Sequence, residues 1–316
     1  MPYFGLPLSA LELGGVSAQE LRSLLHPLTR SERLARVWSL SLAKKLKRPS
    51  AASVLGKLPA LEPFARRFLG RMDRMCVQVC GAPFRLDVLR RSVSRSVYLG
   101  GRWHAGVAAM VRGHVRPGTT AADLGANVGW MSMQMAEVAG PEGTVLSFEP
   151  EPKNFSLLTL NARHARWRNV IPFQVAIGEE VGEADLWIST TDGGDHRTGP
   201  ALLDRPSLRV PVTTLDHVAA ERRTHIHFVK LDIQGAEGRA LRGMHDTLRS
   251  PHLHGVVLEF WPEALVATGE DPTEVLALLH DAGLRCASAP RIDTDARGFV
   301  RDIPAGGWTD LLFLRP

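Results

Sequence analysis

From Pro117-Gly118 onward the chain alternates strand-like and helix-like segments, and this alternation restricts its fold more than any other feature of the sequence. Predominantly apolar runs at 120–124, 144–148, 170–175, 227–231, 256–260 and 308–314 are interleaved with helical spacing at 130–138, 153–164, 237–249 and 273–282. Strands separated by helices cannot close as tight hairpins. They pair through crossovers, which makes them parallel and lays helices on both faces of the sheet. The expected fold class is α/β, a doubly wound and mostly parallel sheet. The alternation pauses over residues 182–213, where Ala184-Asp185-Leu186-Trp187-Ile188 and Leu208-Arg209-Val210-Pro211-Val212 flank a polar, Gly-rich stretch. This reads as an inserted hairpin.

The first 95 residues read differently. Apolar residues three and four apart behind Ser17 and Ser31 predict short amphipathic helices over 17–46, closed by the basic run Lys44-Lys45-Leu46-Lys47-Arg48. A small hairpin follows at 75–88, with its turn at Gly81-Ala82-Pro83. Two domains are therefore expected: a mainly helical, basic region over 1–95, acting as a substrate cap or as an interaction or oligomerisation element, and a catalytic α/β domain over 96–316. Residues 1–110 hold 18 Lys+Arg against 6 Asp+Glu, and the remainder 20 against 27. The basic part can dock on its own acidic core or meet an anionic partner. Hydrophobic residues at 44% are enough for a large core. No apolar stretch is long enough to span a bilayer and no leader pattern opens the chain, so a cytoplasmic protein is expected. Three cysteines, Cys76, Cys80 and Cys286, build no disulfide framework and read as ordinary buried thiols.

Chemistry concentrates where the first core strand runs into Ala122-Asp123-Leu124-Gly125-Ala126-Asn127-Val128-Gly129-Trp130. Glycines at such a turn let the backbone bend tightly and approach a ligand, and in open α/β sheets ligands bind beyond the carboxyl ends of the strands. The spacing is Gly-x-Asn-x-Gly, without the Gly-x-Gly-x-x-Gly that seats a pyrophosphate. Asp123 would repel a pyrophosphate but attract a cation. The next strand ends in Phe148-Glu149-Pro150, where a carboxylate can accept both ribose hydroxyls. A cationic nucleoside fits all three features, and S-adenosylmethionine is the expected cofactor.

From about 98 to 313 the chain resembles the FkbM family of methyltransferases. The resemblance rests on Asp123-Leu124-Gly125-Ala126-Asn127-Val128-Gly129, on Phe148-Glu149-Pro150 with Asn154, on Val212-Thr213-Thr214-Leu215-Asp216, on Lys230-Leu231-Asp232-Ile233-Gln234-Gly235-Ala236-Glu237, and on Glu259-Phe260-Trp261-Pro262-Glu263-Ala264-Leu265. It implies a class I, Rossmann-like, seven-stranded sheet and an S-adenosylmethionine-dependent O-methyltransferase acting on a sugar or secondary-metabolite hydroxyl. It also implies that Asp123, Gly125, Asn127 and Gly129 line the methionyl side of the cofactor, Glu149 its ribose and Val175-Ala176 its adenine edge, with Pro150, Asn154 and Asp232 also among the cofactor-binding residues. Gly193-Gly194-Asp195-His196-Arg197 resembles an element of part of the family. There His196 and Arg197 would face the acceptor, unless the segment is only an exposed turn.

Methyl transfer needs alignment and a sink for the acceptor's proton. Asp232, at the end of the fourth core strand, is the first candidate for that sink or for holding the cofactor's ammonium, with Glu259 and His196 behind it. Lys230 can pair with Asp232. The pairs His225/His227 and His252/His254 lack a completing ligand, and no metal is expected. The expected partner is a small-molecule acceptor, anionic or carrier-linked, with a homo-oligomer as an open option. A nucleic-acid substrate is disfavoured, because Asp232-Ile233-Gln234-Gly235 stands where base methyltransferases carry Asn/Asp-Pro-Pro-aromatic. N-methylation, or a non-catalytic subunit retaining the fold, remain as alternatives.

Overall fold

The computed structural model describes residues 75–87, 92–100, 102–189, 195–198 and 205–316. The helices expected over 17–46 and the basic run at 44–48 lie outside them, as does most of the region expected to form the N-terminal domain. The described residues divide into two compact units, one holding 75–77 and those between 84 and 103, the other 78–83 and 104–316.

Strands β1 (Met75–Val79) and β2 (Ala82–Leu86) form the expected hairpin. Its turn is Cys80-Gly81, at φ 49° and 74°, not Gly81-Ala82-Pro83. Two left-handed residues match the twist of a hairpin, and Ala82 and Pro83 are thereby released into the strand. Cys76 lies on the outward side of β1 and is exposed, Cys80 is half-buried, and only Cys286 is a buried thiol. The sequence expectation for the three was too uniform, because strand alternation decides which faces inward. Helix α1 (Ser92–Gly100) buries Val93, Val97 and Tyr98, and its Ser94 hydroxyl accepts the Asp87 amide at 3.2 Å.

The second unit holds a seven-stranded sheet in the order β12-β13-β11-β10-β3-β4-β5. Its strands are β3 (Thr120–Leu124), β4 (Thr144–Phe148), β5 (Val170–Phe173), β10 (Phe228–Leu231), β11 (Gly255–Phe260), β12 (Arg285–Cys286) and β13 (Thr309–Leu314). Pairing is parallel from β5 through β11, and β13 runs antiparallel to β11 and β12. Every residue of β10 is buried, as a strand covered on both faces must be. The main core gathers Phe148, Leu215, Phe260, Leu265, Leu279 and Phe313. Crossovers run through α2 (Ala105–His114), α3 (Trp130–Ala139), α4 (Pro152–His164), α5 (Leu215–Arg222), α6 (Glu237–Arg242), α7 (His245–Arg249), α8 (Pro262–Ala267), α9 (Pro272–Asp281) and α10 (Ile292–Asp302). The chain steps outward from β3 to β4 and β5, then returns to β10 on the other side. That reversal opens a crevice at the carboxyl ends of β3 and β10.

The expected inserted hairpin is present as β7 (Gly182–Trp187) against β9 (Ser207–Thr213). It is the middle of a larger sheet, because β8 (Arg197–Thr198) pairs with β7 and β6 (Ala176–Ile177) runs parallel to β9. Ala176, Leu186 and Val210 form its small core. At the amino ends of the main strands, the His225 and His252 rings stack at 3.9 Å and His227 Nδ1 accepts the Thr120 amide. Burial and the neighbouring histidines lower the His227 pKa and favour its neutral ring.

Candidate active site

A single row of side chains crosses three strands. Asp123 on β3 is in register with Lys230 on β10 and Ser147 on β4, so all three project from one face of the sheet. Asp123 is fully buried. Ser132 Oγ donates to Asp123 Oδ2 at 2.6 Å, Ser147 Oγ donates to Ser132 Oγ, and Lys230 Nζ lies 3.3 Å from Asp123 Oδ1, which accepts no hydrogen bond. Lys230 also donates to the Gly125 carbonyl and stands 3.3 Å from Asp232 Oδ2. Burial works against its ammonium, but Asp232, Asp123 and Glu259 outweigh that and hold its pKa above the usual value.

The turn after β3 depends on its glycines. Gly125 has φ 77°, and a Cβ there would overlap the Asp232 carbonyl oxygen. Asn127 is left-handed as well, at φ 52°, with its side-chain oxygen accepting the Val128 amide. The Gly125 and Ala126 amides donate to the Phe148 carbonyl, tying the turn to the end of β4. Just beyond, the Glu149 carboxylate accepts the Asn127 amide (2.9 Å), the Glu151 amide (3.0 Å) and Asn154 Nδ2 (3.3 Å). Glu151 caps α4 by accepting the Asn154 amide, with Pro152 at the first helical position. Burial pushes the Glu149 pKa up to about 7 against the pull of these donors.

Across the crevice, Asp232 follows β10 and Glu259 lies near the end of β11. Gln234 Nε2 bridges them, donating to Asp232 Oδ1 at 2.8 Å and Glu259 Oε2 at 2.5 Å. Gln234 holds φ 57° to do so. Burial would raise the Asp232 pKa, yet Lys230, His104, Gln234 and Glu259 together lower it. Burial, then the charge and hydrogen bond of Asp232, raise Glu259 well above the carboxylate range. The two acids are thus shifted in opposite directions. Asp232 does not cap the helix after it; Glu237 accepts the Ile233 and Gly235 amides there.

Among the sequence candidates, the structure gathers Asp123, Gly125, Asn127, Gly129, Glu149, Pro150 and Asn154 around the β3 turn and the end of β4, and Asp232 with Glu259 across from them. Ala176 lies in the core of the small sheet. Arg197 lies with its guanidinium 4.6 Å over the Trp261 ring, its Nε held by Asp195 at 2.6 Å. The His196 ring accepts the Ser189 amide at 3.1 Å and is not part of the Asp232–Glu259 group. The histidine in that group is His104, whose ligating nitrogen lies within 4.8 Å of oxygens of both acids. Sequence reasoning missed His104, Trp308, Asp310 and Trp261. The alternation of Trp308 and Asp310 along the last strand was the one signal available for that pair. Asp310 is in register with Glu259, and burial and the charge of Asp232 push its pKa up to about 6.

Residues 123–286 match the family model of the methyltransferase FkbM domain, just over half of the chain. The chain belongs to the FkbM methyltransferase family. No curated protein matches it. Solved structures similar to it include the fibrillarin of Aeropyrum pernix with natively bound S-adenosyl-L-methionine, at 13% identity over 66% of this chain and 74% of that one, TM-score 0.40. Another is an S-adenosylmethionine-dependent methyltransferase of Aquifex aeolicus, at 12% identity over 67% and 89%, TM-score 0.35. These likenesses are remote and carry no functional argument. The cofactor of this FkbM domain is S-adenosylmethionine, and the donor set fits it. The buried Asp123 oxygen without a hydrogen bond, with the Asp232 carboxylate across Lys230 from it, offers acceptors to a cationic ligand. No described helix is long and apolar enough to cross a membrane.

Proposed function

We propose that this methyltransferase methylates a hydroxyl of a small, anionic acceptor. The observation that carries the reading is the unequal acid pair, Asp232 and Glu259, bridged by Gln234 at the carboxyl ends of adjacent strands. A hydroxyl must lose its proton as it is methylated, whereas an amine attacks neutral and sheds a proton to solvent afterwards. A proton-handling cluster beside the cofactor turn therefore favours oxygen. Bound S-adenosylmethionine supplies an electrophilic methyl on a sulfonium. Asp123 and Asp232 favour the cationic methionyl end, Glu149 with Asn154 orients the ribose, and the Gly125-Ala126-Asn127-Val128-Gly129 backbone closes on the ligand.

Arg197 supports the anionic acceptor. Its Nε is committed to Asp195 and its face to Trp261, which leaves the outer guanidinium nitrogens directed by a rigid mount. His196, immediately before β8, is proposed to border the acceptor, not to take its proton. The test is a panel of matched alcohols, phenols and amines, with and without a phosphate or carboxylate, incubated with methyl-labelled S-adenosylmethionine. Label on the hydroxyl members, with a KM raised about tenfold or more by Arg197→Gln for the anionic ones, supports the reading. Label on amines alone would sink it.

A further inference from the structure

His104 precedes α2 in a left-handed conformation (φ 40°, ψ 64°), and its ring stacks on Trp308 with centroids 5.2 Å apart and planes 15° from parallel. The stack sets the plane of the imidazole, and that plane brings a ring nitrogen within 4.8 Å of carboxylate oxygens of Asp232 and Glu259. Asp232 reaches the group from the loop after β10, Lys230 from β10, Glu259 from β11, and Asp310 from β13 beside Glu259. The three groups are not interchangeable as proton acceptors. Asp232 is tied by Lys230 and Gln234 and is a weak base, while burial and the neighbouring Asp232 push the Glu259 carboxyl toward its protonated form. Burial favours the neutral imidazole, against the pull of Asp232.

We propose that His104 takes the proton of the acceptor hydroxyl, with Asp232 as the positioning residue that orients its imidazole. This rests on the hydroxyl reading above. The acceptor oxygen forms its bond to the methyl carbon, and the carbon–sulfur bond breaks with its electron pair left on sulfur. The hydroxyl proton passes to the imidazole nitrogen. The imidazolium so formed faces Asp232, which stabilises its charge, and it releases the proton to solvent once product leaves. A metal ion in the same group would compete with the Lys230 ammonium and the Gln234 bridge, both already on Asp232.

The deciding experiment follows the imidazole nitrogens of the whole chain, labelled with ¹⁵N-histidine, from pH 5 to 9 in wild type, His104→Gln, Asp232→Asn and Trp308→Ala. His104→Gln assigns the signal. Wild type should show one neutral tautomer at pH 7. Asp232→Asn should lower the His104 midpoint, and Trp308→Ala, at an exposed site, should mix the tautomers even if Asp232→Asn fails to fold. His104→Gln should bind S-adenosylmethionine within about twofold of wild type, yet methylate hydroxyl members of the panel about 100-fold more slowly or worse, with the acid limb of the rate profile gone. A His104 midpoint indifferent to Asp232→Asn, or wild-type transfer by His104→Gln, overturns the proposal. Selective broadening of the His104 signal by micromolar Mn²⁺, with activity lost in EDTA, overturns it in favour of a cation site. Intact His104–Asp232 coupling with label on amines alone would instead sink the hydroxyl reading and leave the paired ring standing.

Discussion

Gly125 and Lys230 show how narrowly single positions are constrained. At Gly125 the left-handed φ and the Asp232 carbonyl act together, so Gly125→Ala should cost about 1–3 kcal/mol of stability and remove the thermal shift produced by S-adenosylmethionine. A retained shift would mean that the turn does not hold the cofactor. Lys230 keeps Asp123 and Asp232 compatible. Lys230→Met leaves the buried Asp123 and the half-buried Asp232 facing one another, and a loss of about 3–5 kcal/mol in denaturant unfolding is expected. Asp123 and Gly125 were legible in the sequence because strand-end and turn chemistry are local. His104 was not, since 128 residues separate it from Asp232 and no local pattern joins them.

Elements set the geometry that those residues use. Glu270, after α8, accepts a bidentate pair of hydrogen bonds from Arg242 on α6 at 3.1 and 2.8 Å, with the Arg239 guanidinium 3.9 Å away. The side chain of Glu270 is 8% exposed, so Glu270→Gln should cost about 1–3 kcal/mol and loosen the helix that follows Asp232 and Gln234. Hydrogen exchange of the α6 amides would register this, and unchanged protection would show that the clamp is dispensable. The small sheet illustrates the limit of pattern reading. Its two long strands alternate visibly, while β6 and β8, two residues each, hold no pattern and exist only because β7 and β9 offer them edges.

At the scale of the whole molecule, acids buried with raised pKa values make stability depend on pH. Glu237, like Glu149, is pushed up to about 7 by burial, against an ordinary value of 4.5. Between those two values the unfolded chain has lost the proton that the folded chain keeps, so each group lowers stability as pH rises from about 4.5 to about 7, with no further loss above. The half-buried His227 and His254, whose pKa values burial lowers, act in the opposite sense below their usual value. The variant therefore isolates the effect. Relative to wild type, Glu237→Gln should gain stability as pH rises from about 4.5 to about 7 and keep that gain above, by a few kcal/mol at most, and a pH-independent difference would refute the assignment. Saturating S-adenosylmethionine, at about a hundred times its dissociation constant, should add roughly 2.7 kcal/mol throughout.

The sequence by itself determined the class of fold, the parallel core, the cofactor turn and the acids at two strand ends, because these follow from periodicity, glycine geometry and the residue that ends a strand. It also carried the resemblance that the family match established. Only the tertiary structure decided which side chains share a site. Asp123, Lys230 and Ser147 meet through strand register, Glu259 and Asp310 through antiparallel pairing, and His104 reaches Asp232 because Trp308, two hundred residues away in the chain, fixes its ring. Cross-strand and cross-loop neighbours are set by packing over the whole sheet, and that information is not local to any segment of the chain.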